Sequence, residues 1–479
     1  MEHLELSFFT DMNSPRSSFE LQGTVNFSKK PEGFLHTSIS QQTSACHPTS
    51  LNGTAGTSRR RREQALIVIS CLTLTFTGCG INFAFGVYQE LYETLGGPFQ
   101  NATPGEIDLI GTLSGSVMTI GAPVVNALVK RYETSSITLL GGILFAVASI
   151  AASLGTRLWH FHLAQGLLQG CAACLTYIPA VTVSPGFFNE KRGLAMGIIT
   201  SGTGLGGMAW APFLRYLITA IGFRNTLRVT GILAAVMISM SASVLREVEE
   251  PSVGQPRDQK AQGTGYKTKF PVANWKLVRS NAFIAQASGT ALQAAAYMTP
   301  VYFMSSYATT LGYTNTAGAN IIALSNASNC GGKIIVGYLA DRFGRLNALV
   351  LSTFSSAVAT FGLWYISDSQ LDISTLRALL LAYAGIYGIT AGSFVSLFPT
   401  ALAEQFGIRN IASVSGLLYM IRGVGTLIGT PIGGVLVRHS EGLRETASSF
   451  DRTFLFVAIL LSGATISIAW ARSIKGQAE

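Results

Sequence analysis

Twelve apolar runs, each about twenty residues long and separated by polar connections, decide what this chain can fold into. They cover approximately 65–88, 107–129, 136–154, 158–183, 194–214, 226–245, 281–307, 316–339, 347–366, 376–400, 411–436 and 453–471. A bilayer core of about 30 Å takes roughly twenty residues of helix, and within it every backbone N–H and C=O must find its partner inside the protein. No stretch alternates polar and apolar residues over the ten or so positions of a lipid-facing strand. The expected fold class is therefore an all-α polytopic membrane protein with twelve transmembrane helices. Composition agrees, since only 12% of the 479 residues are charged, whereas a soluble chain needs about a quarter.

The charges test the topology independently of the apolar runs. Every even-numbered connection should be cytosolic and basic. Lys130 and Arg131 follow span two, Lys191 and Arg192 span four, Arg342 and Arg345 span eight, Arg409 span ten, and Arg472 and Lys475 span twelve. The first odd connection carries Glu90 and Glu93 and no basic residue, so both termini are expected in the cytosol. The net charge of +9 is spread over these loops rather than gathered on one face, which argues against nucleic acid as a partner.

Residues 1–62 are rich in Ser, Thr, Gln and Gly, lack a signal-peptide core, and end in Arg59-Arg60-Arg61-Arg62. They are expected to form a disordered cytosolic tail. A polar stretch at 246–280 is expected to be a cytosolic linker between six-helix halves at 63–245 and 281–472, with a short cytosolic tail at 473–479. Asn101-Ala102-Thr103, in the first external connection, is the sequon expected to carry glycan; Asn26 and Asn52 lie in the tail and Asn326 at membrane depth. Cys171 and Cys174 have redox spacing but sit in an apolar span without nearby histidines, so packing is the expected role, and neither metal nor cofactor is expected.

The connection after span eight reads Gly337-Tyr338-Leu339-Ala340-Asp341-Arg342-Phe343-Gly344-Arg345. This resembles the major facilitator superfamily of secondary transporters, whose loop between helices eight and nine reads G-x-L-A-D-R-x-G-R. The resemblance covers about residues 62–472. It implies two six-helix halves that rock about a midplane site, with Gly337, Asp341, Arg342, Gly344 and Arg345 forming a conformational motif. Further segments are similar to the monocarboxylate porter family, particularly its fungal members: Gly392-Ser393-Phe394-Val395-Ser396-Leu397-Phe398-Pro399, Glu404-Gln405-Phe406-Gly407, Gly429-Thr430-Pro431-Ile432-Gly433-Gly434, and Tyr177-Ile178-Pro179 in the first half. Animal members place a lysine in span one and an aspartate one turn before a basic residue in span eight. Here Val87 and Asn329 stand there and only the basic position survives, as Lys333, which argues against lactate-type proton symport.

Ionisable groups at membrane depth need a reason. Arg422 falls near the middle of span eleven and Lys333 in the inner half of span eight, while no Asp or Glu lies well inside a span. A bound anion is the expected counter-charge, with Arg422 as a bidentate fork and Lys333 either a second attraction or a side chain snorkelling to the inner surface. Asn329, Asn326, Gln293, Tyr297, Tyr387 and Gln169 are the polar candidates to complete the cavity. The glycines of span five, at 197, 202, 204, 206 and 207, are read as close helix packing. The expected function is transport, not catalysis. A small organic acid or acidic metabolite crosses the plasma membrane, export favoured over monocarboxylate uptake, with coupling to protons left open and no obligate protein partner evident. A transporter-like nutrient sensor is the reading from a different class.

Overall fold

The computed structural model describes residues 53–93, 98–99, 102, 104–188, 191–249, 275–365, 372–407, 410–437 and 447–476. Each expected apolar run is built as helix. Span one comprises Gly53–Leu74, Thr75–Cys79, Gly80–Phe83 and Gly86–Glu93; span two, Pro104–Ile120 and Ala122–Arg131; span three, Thr134–Leu154; span four, Leu158–Phe161, His162–Leu168 and Gln169–Thr182. Spans five to eight are Arg192–Ile221, Phe223–Glu249, Asn281–Thr310 and Asn315–Phe343. Spans nine to twelve are Arg345–Ala359 with Thr360–Tyr365, Ile373–Phe406, Ile411–Val435 and Asp451–Gly476.

Two boundaries differ from the sequence reading. The first helix begins at Gly53, inside the expected tail, because Arg59–Arg62, Glu63 and Gln64 are good helix formers that extend a helix already nucleated by the apolar turns after them. Span six runs to Glu249, into the expected linker. The rest of the tail, linker residues 250–274, the 477–479 end and the sequon residue Asn101 lie outside the described residues.

Spans one, three, four, six, ten and twelve are apolar enough along their length to cross a bilayer on composition alone, and span two joins them once its 43° bend after Ile120 is allowed. Gly121 and Pro123 sit at that bend, where proline removes a backbone donor. Spans five, seven, eight, nine and eleven fall short of that measure. Leu140, Ile143 and Val147 on span three and Ile232, Val236 and Met240 on span six are exposed, as lipid-facing positions should be.

Span three packs on spans four and six, and spans eight and nine pack on span ten, while span seven packs on spans eleven and twelve. The first six spans then meet the last six along two seams, span five against span eight and span two against span eleven. At the first seam a Cβ on Gly197 would overlap the Lys333 carbonyl, and one on Gly193 would crowd the Gly337 carbonyl, so glycine is what lets these two backbones touch. Lys130, Arg192, Arg342 and Arg345 lie at one end of these seams, called the basic end below.

Candidate functional site

Three charged side chains are buried among the described residues, and all are cations: Arg192, Lys333 and Arg422. Removing a cation from water costs several kcal/mol unless partners compensate, so the partners decide what each one is for.

Arg422 projects from the middle of span eleven towards span seven, where its Nη1 donates to Oε1 of Gln293 at 2.9 Å. Its guanidinium carbon lies 5.4 Å from the ring centre of Phe394 and 5.7 Å from that of Tyr297. Each such cation–π contact offsets about 0.5–2 kcal/mol of the burial cost. A guanidinium offers five N–H donors, and among the described residues Gln293 alone accepts from it. The amide nitrogen of Gln293, the amide oxygen of Asn329 and the hydroxyl of Ser116 are buried nearby without a partner. Unfilled donors and acceptors around one buried cation mark a place built for a ligand or for water.

Lys333 does not snorkel. It is 1% exposed, and its Nζ donates to Thr203 Oγ1 at 2.5 Å and to the Thr200 carbonyl at 3.2 Å, both on span five. The close approach of spans five and eight carries the side chain across the seam instead of down to the surface. Asn329, one turn earlier on the same helix, turns towards span seven, donating from Nδ2 to the Tyr297 hydroxyl at 3.1 Å. Arg422, Gln293, Tyr297 and Asn329 therefore form one connected set, and Lys333 lies within electrostatic reach of Arg422.

The remaining candidates sit elsewhere. The Tyr387 hydroxyl donates to the Tyr297 backbone carbonyl at 3.0 Å, which commits it to holding span ten on span seven. Asn326 faces Gly204 and Gly207 of span five, at the seam. Gln169 is buried in span four.

The basic end has a different character. Asp341 accepts from the backbone N–H groups of Gly193 and Leu194, each at 2.8 Å, and from Arg345 Nη2 at 3.1 Å and Nε at 3.3 Å. The two amides open span five, where helical N–H groups lack internal acceptors and the helix dipole favours a carboxylate. Gly344, at φ 91°, makes the turn that carries the chain from span eight into span nine, and so sets Arg345 beside Asp341. Arg342 stands apart over the ring of Tyr338, at 4.7 Å. At the second seam, Lys130 Nζ donates to Ser413 Oγ at 3.2 Å and Asn126 Nδ2 to Ser415 Oγ at 3.3 Å. Both seams hold the basic end shut.

A tight turn carrying Asp341 and Arg345, two sets of six helices and a cationic centre between them agree with the comparison that decides the family: the model described as Major Facilitator Superfamily matches residues 68–430. The chain belongs to this superfamily. Monocarboxylate transporter 11 of Homo sapiens is 27% identical over 76% of this chain and 74% of its own length. The Aspyridones efflux protein apdF of Emericella nidulans is 25% identical over 86% of this chain and 79% of its own. Among solved structures, the facilitator FucP in the outward conformation has a TM-score of 0.61 over 85% of this chain and 98% of FucP, and at 15% identity that likeness speaks for the fold alone. Within the superfamily the chain is a monocarboxylate-porter-like member of the fungal type.

In this facilitator, sequence reasoning overlooked four residues. Thr200 and Thr203, hidden among the span-five glycines, are the acceptors of Lys333. Phe394 supplies a ring to Arg422, and Tyr419, three positions before Arg422, lies against Phe398 and Tyr177. The spacing of Tyr419 to Arg422 on one helix face was the available signal for the last of these.

Proposed function

We propose that this facilitator exports a small organic anion across the plasma membrane by alternating access, with Arg422 as the group that binds the anion and Lys333 as a second source of positive potential. The observation that carries this reading is the state of Arg422: a buried guanidinium with one protein acceptor, beside unpartnered amide groups and with no carboxylate buried among the described residues. A planar fork in that condition matches a carboxylate or enolate. Export is favoured because apdF is named for efflux and because Asn329 stands where the family's proton-coupled members resemble one another in carrying an aspartate. In this reading both termini and the basic end face the cytosol, by the distribution of loop charge, so the seams join the two sets of helices at the cytosolic end.

The test compares acidic metabolites in the medium and cytosol of cells carrying the native chain, Arg422→Gln, or no copy. One class of acids should move from cell to medium with the native chain alone. Movement of a neutral or cationic compound, or movement that survives Arg422→Gln at matched expression, defeats the reading. Uptake of a monocarboxylate is the second reading, favoured by the likeness to Monocarboxylate transporter 11, and it would show as the opposite direction of movement.

A further inference from the structure

Resting on the anion site just proposed, the geometry points to the class of its ligand: we propose that the site takes planar aromatic or conjugated acids in preference to aliphatic acids of similar charge.

The guanidinium of Arg422 does not stand in an aliphatic pocket. Phe394 and Tyr297 lie against it, and from Phe394 the rings continue without a gap. Phe394 stacks on Phe398 with centroids 5.5 Å apart, Phe398 meets Tyr419 edge-on at 5.2 Å, and Tyr419 meets Tyr177 edge-on at 6.1 Å. Tyr177 belongs to span four and the others to spans ten and eleven, so the ring series crosses from one set of six helices to the other. All these rings are buried.

An acid bound in the plane of the fork holds its carboxylate against Arg422 and the free amide nitrogen of Gln293. A ring attached to the carboxylate then comes against Phe394 and Tyr297, the two rings that already flank the guanidinium. A flat ring there gains offset or edge contacts of about 0.5–1.5 kcal/mol per aromatic neighbour beyond the area it buries, and a saturated group does not. A small hydroxylated acid such as lactate fares worse, because it has little apolar surface to set against Phe394 and Tyr297. Two such contacts at about 0.5 kcal/mol each favour benzoate over a saturated acid of the same size about fivefold, and lactate, which also buries less apolar area, falls about thirtyfold to a hundredfold below benzoate.

The test uses the purified full chain and reads ligand-dependent thermal protection with four probes: benzoate, cyclohexanecarboxylate, lactate and methyl benzoate. Cyclohexanecarboxylate matches benzoate in size and apolarity but not in flatness. The expected order of half-protection is benzoate, then cyclohexanecarboxylate about fivefold weaker, then lactate, with methyl benzoate inert. Phe394→Leu and, as a second variant, Phe398→Leu should bring the ratio of benzoate to cyclohexanecarboxylate half-protection to about one, a readout that cancels any loss of affinity common to both acids. Equal protection by benzoate and cyclohexanecarboxylate, or by all three acids, overturns the aromatic preference while the anion site stands. Protection by the ester, persistence of benzoate protection in Arg422→Gln, or no protection by any acid removes the anion site and the preference together.

Discussion

Asp341 at the basic end and Arg422 at the centre are both charged groups between packed helices, yet their surroundings are opposite. Asp341 accepts four hydrogen bonds from two backbone amides and one guanidinium. Arg422 places one of its five donors on a protein acceptor and leaves polar atoms around it unfilled. A charge whose valences are filled by its own fold holds structure together. One whose valences are left open is a net cost to the empty protein, and is kept for what binds there. The comparison can be broken, because the two groups should respond in opposite directions to neutralisation.

The largest effect is expected at Arg422. Arg422→Gln should raise the half-saturation concentration for the anion about a hundredfold, as loss of one partner of a buried charged pair does, and Arg422→Lys should recover part of it because charge survives without the fork. The empty protein should be no less thermally stable as Gln, and should gain stability if the open valences are a real burden. Ligand-free melting measured beside anion affinity checks both halves of this expectation. A large fall in the melting point with either substitution would show that Arg422 is a structural residue and that the contrast with Asp341 is false.

How much of this could be read beforehand follows from the kind of signal each part leaves. The helices were legible because bilayer thickness imposes a length on every span, and Arg422 was legible because a charge at membrane depth stands out against apolar neighbours. Thr200 and Thr203 were not, since threonine in a glycine-rich span reads as packing, and only the meeting of spans five and eight reveals them as acceptors for Lys333. The fate of Lys333 was undecidable for the same reason: whether it descends to the surface or crosses to a neighbour depends on how near the neighbour comes. Tyr387 was legible as polar and at the right depth, but its engagement with the Tyr297 carbonyl belongs to tertiary structure alone. The early start at Gly53 was missed because an arginine run reads as a topological signal, although arginine also propagates helix.

An intermediate effect is expected at the basic end. Asp341→Asn keeps shape but loses the charge that faces the span-five amides and Arg345, a loss of about 2 kcal/mol for charge-assisted bonds at a helix N-terminus. That energy is removed from the closed seam, so the equilibrium should move about thirtyfold towards opening at the basic end. In a cysteine-free background, Thr200→Cys should then label faster with a membrane-impermeant thiol reagent applied from the basic side. Anion affinity at the centre should change by less than about twofold. Unchanged labelling, or an affinity loss comparable to that of Arg422→Gln, would mean that the two regions are not separable in the way their hydrogen bonding indicates.

The smallest effect, and the one that sharpens the comparison most, is expected at Lys130. It is the approximate counterpart of Asp341 at the second seam, but it brings a cation to the first turn of span eleven, the end of a helix that favours anions, and it is held there by one bond to the Ser413 hydroxyl. An exposed contact of this kind contributes about 0–1 kcal/mol, so Lys130→Ala should leave opening of the seam within about twofold of native. Lys130→Glu reverses the sign. It presents a carboxylate to the positive end of the span-eleven helix dipole, as Asp341 does at the start of span five, and it should hold the basic end shut more firmly, slowing both transport and thiol labelling about threefold. Adding Lys130→Glu to Asp341→Asn should restore part of the lost closure. If Lys130→Glu instead opens the basic end, the charge at a helix start is not what closes these seams, and the close glycine packing along spans five and eight must carry the closure by itself.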